Sequence, residues 1–124
     1  MNKDPLVANS DSLAFSVSRE PGYAVVSVAG KVDASTEQQF RDALTSVLVH
    51  GMPRIVVDLS RVTFMSSAGI GVLMGVRRVL ADAGGSLVLA APHGQVAQVL
   101  SMAGVAEVIP VTASVPDAVA ALGS

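Results

Sequence analysis

The sequence predicts an α/β fold: one domain with a mixed sheet of four to five strands, an opening hairpin followed by parallel strands, packed with four helices. A length of 124 residues suits one domain with its own core and is too short for two ordinary domains. Hydrophobic residues make up 51% of the chain and aromatic residues only 3%, a balance typical of sheets covered on both faces. Short β-branched runs alternate with helical patterns, which indicates crossover helices between parallel strands.

The amino-terminal part predicts a loose segment and then a hairpin. Residues 1–12 are polar and mixed, so we expect a flexible segment there and a folded domain over residues 13–124. Two β-rich runs, residues 13–18 and 23–29, flank the turn sequence Arg-Glu-Pro-Gly at 19–22. This pattern predicts an antiparallel pair of strands.

Two helices and a strand are predicted next. Ser35 and Thr36 are candidate N-caps for a helix over about residues 37–49. The nearly all-apolar run at 54–59 is typical of a strand buried on both faces. A second helix then runs from Ser67 to about residue 83, where two glycines end it.

The carboxyl-terminal part predicts a strand at 87–91, a short helix at 95–102, and a last short strand at 108–111. Ser114, followed by proline and aspartate, is a strong start for a final helix. That helix runs to Leu122 with almost no charge, so one of its sides must be packed.

Composition narrows the classes of partner and compartment. The formal net charge is −2, so the chain lacks the positive charge that binding to nucleic acid or to an anionic membrane requires. It has no cysteine, which excludes disulfides and thiolate chemistry. No apolar run approaches the roughly 18 residues of a membrane-spanning helix, and no signal peptide is evident. We therefore expect a cytoplasmic protein without membrane insertion.

The segment FMSSAGIGVLMG, residues 64–75, raises the question of what its adjacent serines do. Ser66 or Ser67 can cap the helix that follows, and Phe64 and Met65 are expected in the core. A serine hydrolase motif would need a glycine where Met65 stands, and no lysine follows the glycines as in a phosphate-binding loop. We predict no catalytic residues. A hydroxyl at a helix N-terminus is, however, a position that tolerates added phosphate charge.

The second helix has two different sides. One side is a continuous apolar face that we expect in the core, formed by Gly69, Val72, Leu73, Val76, Val79, Leu80 and Ala83. The other side leads from Ser67 through Ile70, Gly71 and Met74 to arginines at 77 and 78. Apolar, adaptable and small residues on an outer face favour a partner-binding surface. The alternative is that another element of the chain covers this side.

Two segments of the chain carry a family resemblance: residues 56–75 read VVDLSRVTFMSSAGIGVLMG, and residues 30–36 read GKVDAST. Both resemble the anti-sigma factor antagonists, which are single STAS domains of bacterial partner-switching systems. The order of elements fits this family over residues 13–122. The resemblance implies a non-enzymatic regulator without a cofactor. It would bind an anti-sigma factor that is also a serine kinase using ATP, and so release a sigma factor for transcription. Phosphorylation by that kinase would end binding, and a serine phosphatase would restore it.

The resemblance also implies which residues carry this function. The phosphoacceptor of the family falls on Ser67, although the acidic residue that usually precedes it is replaced by Ser66, which is the alternative acceptor. Asp33 and Asp58 match acidic positions near the acceptor, and Asp58 is expected to end its strand shortly before the serines. The partner-binding residues are then Asp33, Asp58, Ser66, Ser67, Ile70, Gly71, Met74 and Arg78.

Two other functions are also compatible with the sequence. The chain can be a STAS subunit of a larger assembly, such as a lipid-transport complex or a signalling scaffold, in which the same surface is structural and is not phosphorylated. It can also be a small enzyme or ligand-binding domain that uses the turn at 66–71 for an anion. No metal site is expected, because His50 and His93 lack a third ligand.

Overall fold

Within the described residues, five strands and four helices form the fold. The structure is a computed structural model that describes residues 13–48, 51 and 53–122. The elements in chain order are β1 (Ala14–Glu20), β2 (Tyr23–Val32), α1 (Glu37–Leu48), β3 (Arg54–Met65), α2 (Ser67–Asp82), β4 (Ser86–Ala90), α3 (Gly94–Met102), β5 (Val111–Thr112) and α4 (Val115–Leu122). The expectation for residues 1–12 falls outside this range.

The sheet has the strand order β1-β2-β3-β4-β5. Strands β1 and β2 are antiparallel and joined by the two-residue turn Pro21-Gly22, where Gly22 has a φ of 88°. The pairs β2–β3, β3–β4 and β4–β5 are all parallel, and a helix lies in each connection. The predicted α/β fold with its opening hairpin and mixed sheet is confirmed.

Helices cover the two faces of the sheet unequally. The larger apolar cluster lies on the face covered by α1 and α2, with Phe40, Leu44 and Leu73 among its fully buried side chains. On the other face, Ala118 and Leu122 of α4 pack against Val56, Val88 and Ala90. This contact explains why the last helix can be almost uncharged, as the sequence indicated. Among the described residues, no helix combines the length and apolar character needed to cross a bilayer.

Strand β3 is twice as long as predicted and ends at Met65. Strand β2 pairs with it over this whole length, but the register shifts twice, first between Ser27 and Ala29 and then between Gly30 and Lys31. Each shift adds a residue to β3, so its buried side chains beyond residue 58 recur every three positions, at Leu59, Val62 and Met65. A strand with bulges lacks the alternation that sequence patterns detect.

The last strand also differs from the prediction of a strand at residues 108–111. A 3₁₀ turn at Val105–Glu107 precedes it, and β5 comprises only Val111–Thr112. The amides of Val108 and Ile109 both donate to the Val105 carbonyl, at 2.9 and 2.8 Å, and are therefore not free for a sheet. Pro110 has no amide to donate. Ile109 is fully buried in spite of this irregular backbone.

The predicted core face of α2 is largely confirmed, with Gly69, Val72, Leu73, Val76 and Leu80 buried. The prediction that Val79 lies in the core is wrong, since 52% of this residue is exposed. It lies about 80° from the centre of the buried arc, at the edge of what the sheet can cover. Ala83 is exposed as well, because the helix ends at Asp82.

Two glycines of α2 should respond to alanine in opposite directions. A Cβ on Gly69 would lie 2.7 Å from Cγ1 of Val32 and 2.8 Å from Cγ of Met65, both fully buried, whereas a Cβ on Gly75 would meet nothing within 4 Å. We expect Gly69→Ala to lower the free energy of unfolding by about 1–3 kcal/mol. Gly75→Ala should raise it by up to about 1 kcal/mol. Urea denaturation measures both, and equal effects would contradict the described packing of α2.

Candidate functional site

Ser66 is the residue that starts α2. Its backbone is extended, with φ of −98° and ψ of 177°, and its hydroxyl oxygen accepts a hydrogen bond from the Ala68 amide at 3.2 Å. Its own amide donates to the Val32 carbonyl at 2.9 Å, which ties the helix start to the end of β2. The cap predicted from the sequence is therefore Ser66, and its half-buried hydroxyl is already in use.

Ser67 is the first residue of α2 and differs from its neighbour in accessibility. It is exposed, and none of the described residues forms a hydrogen bond with its hydroxyl. The aligned amides of the first turn give the amino end of α2 a partial positive charge, which favours an anionic group at this position. Of the two serines, Ser67 is the one whose oxygen another molecule can reach.

A stripe of side chains continues from Ser67 along the outer side of α2. This α2 stripe consists of Ile70, Gly71, Met74 and Arg78. Gly71 and Arg78 are exposed, and Ile70 and Met74 are half-buried because one side of each packs against the larger apolar cluster. A Cβ on Gly71 would meet nothing within 4 Å. The rest of the described chain therefore leaves the α2 stripe at the surface.

This surface continues beyond the residues predicted from the sequence. Gly75 and Val79 follow Gly71 at intervals of four residues, so they lie on the same side of the helix, and both are exposed. Helical spacing could have shown this for Gly75, but Val79 was placed in the core. The apolar surface thus extends over most of the length of α2.

Asp33 lies beside the start of α2, because it follows Val32, whose carbonyl accepts the Ser66 amide. The Asp33 carboxylate accepts hydrogen bonds from the hydroxyl and the amide of Ser35, at 2.6 and 2.9 Å. These bonds, the hydroxyl bond first, hold the pKa of Asp33 below its ordinary value. A fixed negative charge therefore lies on the segment that adjoins the start of α2.

Thr36, predicted as a possible cap of α1, directly precedes this helix, and its carbonyl accepts the Phe40 amide at 3.0 Å. Its side chain has another role. Its buried hydroxyl donates to the Lys31 carbonyl at 2.7 Å and accepts from the Asp33 amide at 3.0 Å. These bonds join the end of β2 to the turn before α1. Thr36 therefore fixes the segment that carries Asp33.

The structure does not bring Asp58 to the serines, so the expectation that it ends its strand near them is wrong. Asp58 lies in the middle of β3, paired with Ser27 and Ala90, and accepts the Ser60 amide at 3.0 Å. Six further residues of strand, roughly 20 Å, separate it from Met65. Its side chain lines a hollow of about 450 Å³ beside β1 and β2.

Phe64 was expected in the core with Met65, but only Met65 is buried. Phe64 pairs with Lys31 across the second register shift of β3, and 38% of it is exposed. The extra residue at that shift changes the alternation of side chains along β3, so Met65 faces the core and Phe64 faces away from it.

Comparisons with known proteins agree with this architecture. The family model described as the STAS domain matches residues 14–118. A Bordetella bronchiseptica protein that carries the name anti-sigma factor antagonist BtrV is 31% identical over 100 residues, covering 81% of this chain and 86% of that protein. The crystal structure of an anti-sigma factor antagonist from Mycobacterium paratuberculosis has a TM-score of 0.85 at 26% identity, covering 95% of this chain and 100% of that one.

The same fold occurs inside a larger protein. The murine anion transporter Slc26a9 matches with a TM-score of 0.68 at 24% identity, covering 82% of this chain and 18% of the transporter. This likeness concerns the fold alone. The family match spans all five strands and the whole of α2, and the likeness to BtrV covers most of both chains. The resemblance seen in the sequence is thereby confirmed, and the chain belongs to the STAS domain family.

Proposed function

We propose that this protein is an anti-sigma factor antagonist that binds an anti-sigma factor in the bacterial cytoplasm and so releases a sigma factor for transcription. The names of its relatives support this role. The observation that carries it is the exposed hydroxyl of Ser67 at the start of the uncovered α2 stripe. Half-buried apolar side chains beside open glycine positions suit a surface that a partner desolvates.

The proposed binding surface consists of the α2 stripe together with Asp33, Ser66 and Ser67. Asp33 supplies a fixed negative charge at one end and Arg78 a positive charge at the other. A partner with the opposite arrangement of charges would be oriented along the helix. Asp58 is not part of this surface, since it lies on the other face of the sheet, which is the face covered in part by α4.

The proposed switch is phosphorylation of Ser67 by the anti-sigma factor, acting as a serine kinase, with a serine phosphatase to reverse it. Phosphate adds about −1.5 to −2 charges, which the first-turn amides of α2 tolerate. The same charge beside Ile70 and Met74 must be desolvated when a partner docks, and it repels the nearby Asp33 carboxylate. Binding would therefore be lost while the fold is kept.

Ser66 is the less favourable acceptor, because its hydroxyl oxygen caps α2 and is half-buried. The capping role of Ser66 also explains how the chain accommodates the absence of the acidic residue that the family usually has at this position. Aspartate and serine are comparable N-caps, so the helix start is retained while one negative charge is removed.

A second candidate function is a STAS subunit within a larger assembly. The exposed α2 stripe suits it equally, since a permanent partner can cover an apolar surface of this kind. In such an assembly the α2 stripe would be a permanent contact and Ser67 would not be modified.

The phosphoacceptor can be identified by mass. With ATP and each serine-kinase anti-sigma factor encoded in the source genome, we expect one kinase to add one phosphate to the intact protein. Ser67→Ala should abolish this gain. Ser66→Ala should keep it and lower the free energy of unfolding by about 1 kcal/mol through the lost cap. No gain with any of these kinases would favour the assembly subunit, and a phosphate on Ser66 would contradict the assignment.

The role of the α2 stripe can be tested with a substitution that separates binding from folding. Gly71→Leu adds a bulky side chain where the molecule has open space, and leucine is the better helix former, so stability should rise by about 0.5–1 kcal/mol. Binding to the anti-sigma factor identified above should weaken at least about tenfold, because the added side chain prevents close docking. Calorimetric titration and thermal unfolding measure the two effects.

Gln98→Leu, at an exposed position of α3, is the matched control and should leave binding unchanged. If Gly71→Leu binds as tightly as the unmodified sequence, the α2 stripe is not the docking surface.

A further inference from the structure

Among the described residues, the edge of β3 that faces β4 has no strand partner beyond residue 58. Strand β4 pairs with β3 over residues 54–58, whereas β3 continues for seven more residues. The amino end of α3 bonds to this free edge instead. His93 Nε2 lies 2.8 Å from the Ser60 carbonyl oxygen, and the side-chain amide of Gln95 bonds to the backbone of Met65.

The contact between Gln95 and Met65 reproduces a step of a β-ladder. Oε1 of Gln95 accepts the Met65 amide at 2.9 Å, and Nε2 donates to the Met65 carbonyl at 2.9 Å. A carboxamide can do both because it carries an acceptor oxygen and a donor nitrogen side by side. One exposed side chain thus satisfies both backbone groups of the last residue of β3.

Met65 is two residues before Ser67, and the chain at this point is held from both sides. Strand β2 holds the next residue through the 2.9 Å bond from the Ser66 amide to the Val32 carbonyl. Gln95 holds Met65 from the opposite edge. The Ser67 hydroxyl has no hydrogen bond of its own among the described residues, so its position depends on the backbone that these contacts fix.

We infer that Gln95 is a positioning residue for Ser67: its paired bonds to Met65 fix where α2 leaves β3 and thereby how Ser67 is presented. The geometric part stands on the described contacts alone. The consequence for phosphorylation and partner binding rests on the proposed function. Loss of Gln95 removes the hydrogen bonds from α3 to the backbone of Met65 and leaves the bond between Ser66 and β2, so the first turn of α2 can fray from the sheet edge.

A single thiol can report the position of residue 67 without any partner. The sequence contains no cysteine, so Ser67→Cys introduces a unique thiol at the first position of α2. The first-turn amides should hold the pKa of this thiol below its ordinary value. Its rate of reaction with a chromogenic aromatic disulfide, measured against pH, gives that pKa directly.

Adding Gln95→Ala to this background should raise the thiol pKa and slow the reaction at neutral pH by about threefold, because the first turn of α2 then frays and residue 67 leaves the first-turn amides. Gln98→Ala is the matched control. It removes the same side chain from an exposed position of the same helix, and Gln98 has no hydrogen bond among the described residues. It should leave the thiol unchanged.

A second variant helps to distinguish displacement of residue 67 from loss of folding. Gln95→Glu keeps an acceptor for the Met65 amide but places a carboxylate oxygen against the Met65 carbonyl, so it should shift the thiol in the same direction. Thermal unfolding identifies variants that remain folded. A thiol pKa that is unchanged in folded Gln95→Ala and Gln95→Glu overturns the inference.

The kinase assay separates this inference from the proposed function. With Ser67 intact, Gln95→Ala should lower kcat/KM for phosphorylation about tenfold, as expected for a displaced acceptor. If the thiol responds but no kinase phosphorylates the protein, Gln95 still positions residue 67 and the proposed function fails. If phosphorylation occurs at an unchanged rate in Gln95→Ala, the positioning role is overturned while the proposed function stands.

Discussion

The parallel pairing of β2 with β3, maintained to the last residue of both strands, is the interaction on which the site depends. Because Val32 pairs with Met65, the two connections that leave the sheet there begin side by side. One connection carries Asp33 toward α1, and the other carries Ser66 and Ser67 into α2. A carboxylate and an accessible hydroxyl, more than thirty residues apart in sequence, thereby lie close together without a direct bond between them.

The two sides of helix α2 have separate roles that are largely independent of each other. Its buried side, with Leu73 and Leu80, belongs to the core, while Gly71 and Gly75 lie on the outer side, where the chain itself fills no space. Glycine inside a helix costs roughly 1 kcal/mol relative to alanine, so these positions are not explained by stability. The outer side can therefore change its charge or its contacts while the core side keeps the fold.

The fold could be predicted from the sequence wherever its signals are local. The hairpin turn, the cap at the start of α2 and the packed side of α4 all follow from a few adjacent residues. The length of β3 could not be predicted, because two bulges replace its alternating pattern with a spacing of three. For the same reason Asp58 and Phe64 were misplaced. The role of Gln95 could not be predicted from a local sequence pattern, since its contact with Met65 spans thirty residues.

The unequal covering of the sheet has a consequence for how the chain is made. Val56, Val88 and Ala90 form an apolar strip whose cover among the described residues includes α4, which follows every strand in the chain. A growing polypeptide emerges from the ribosome amino end first, so this strip meets water until α4 has been synthesised. In a nascent chain halted before Val115, it would be a ready site for a chaperone or for association with another unfinished copy.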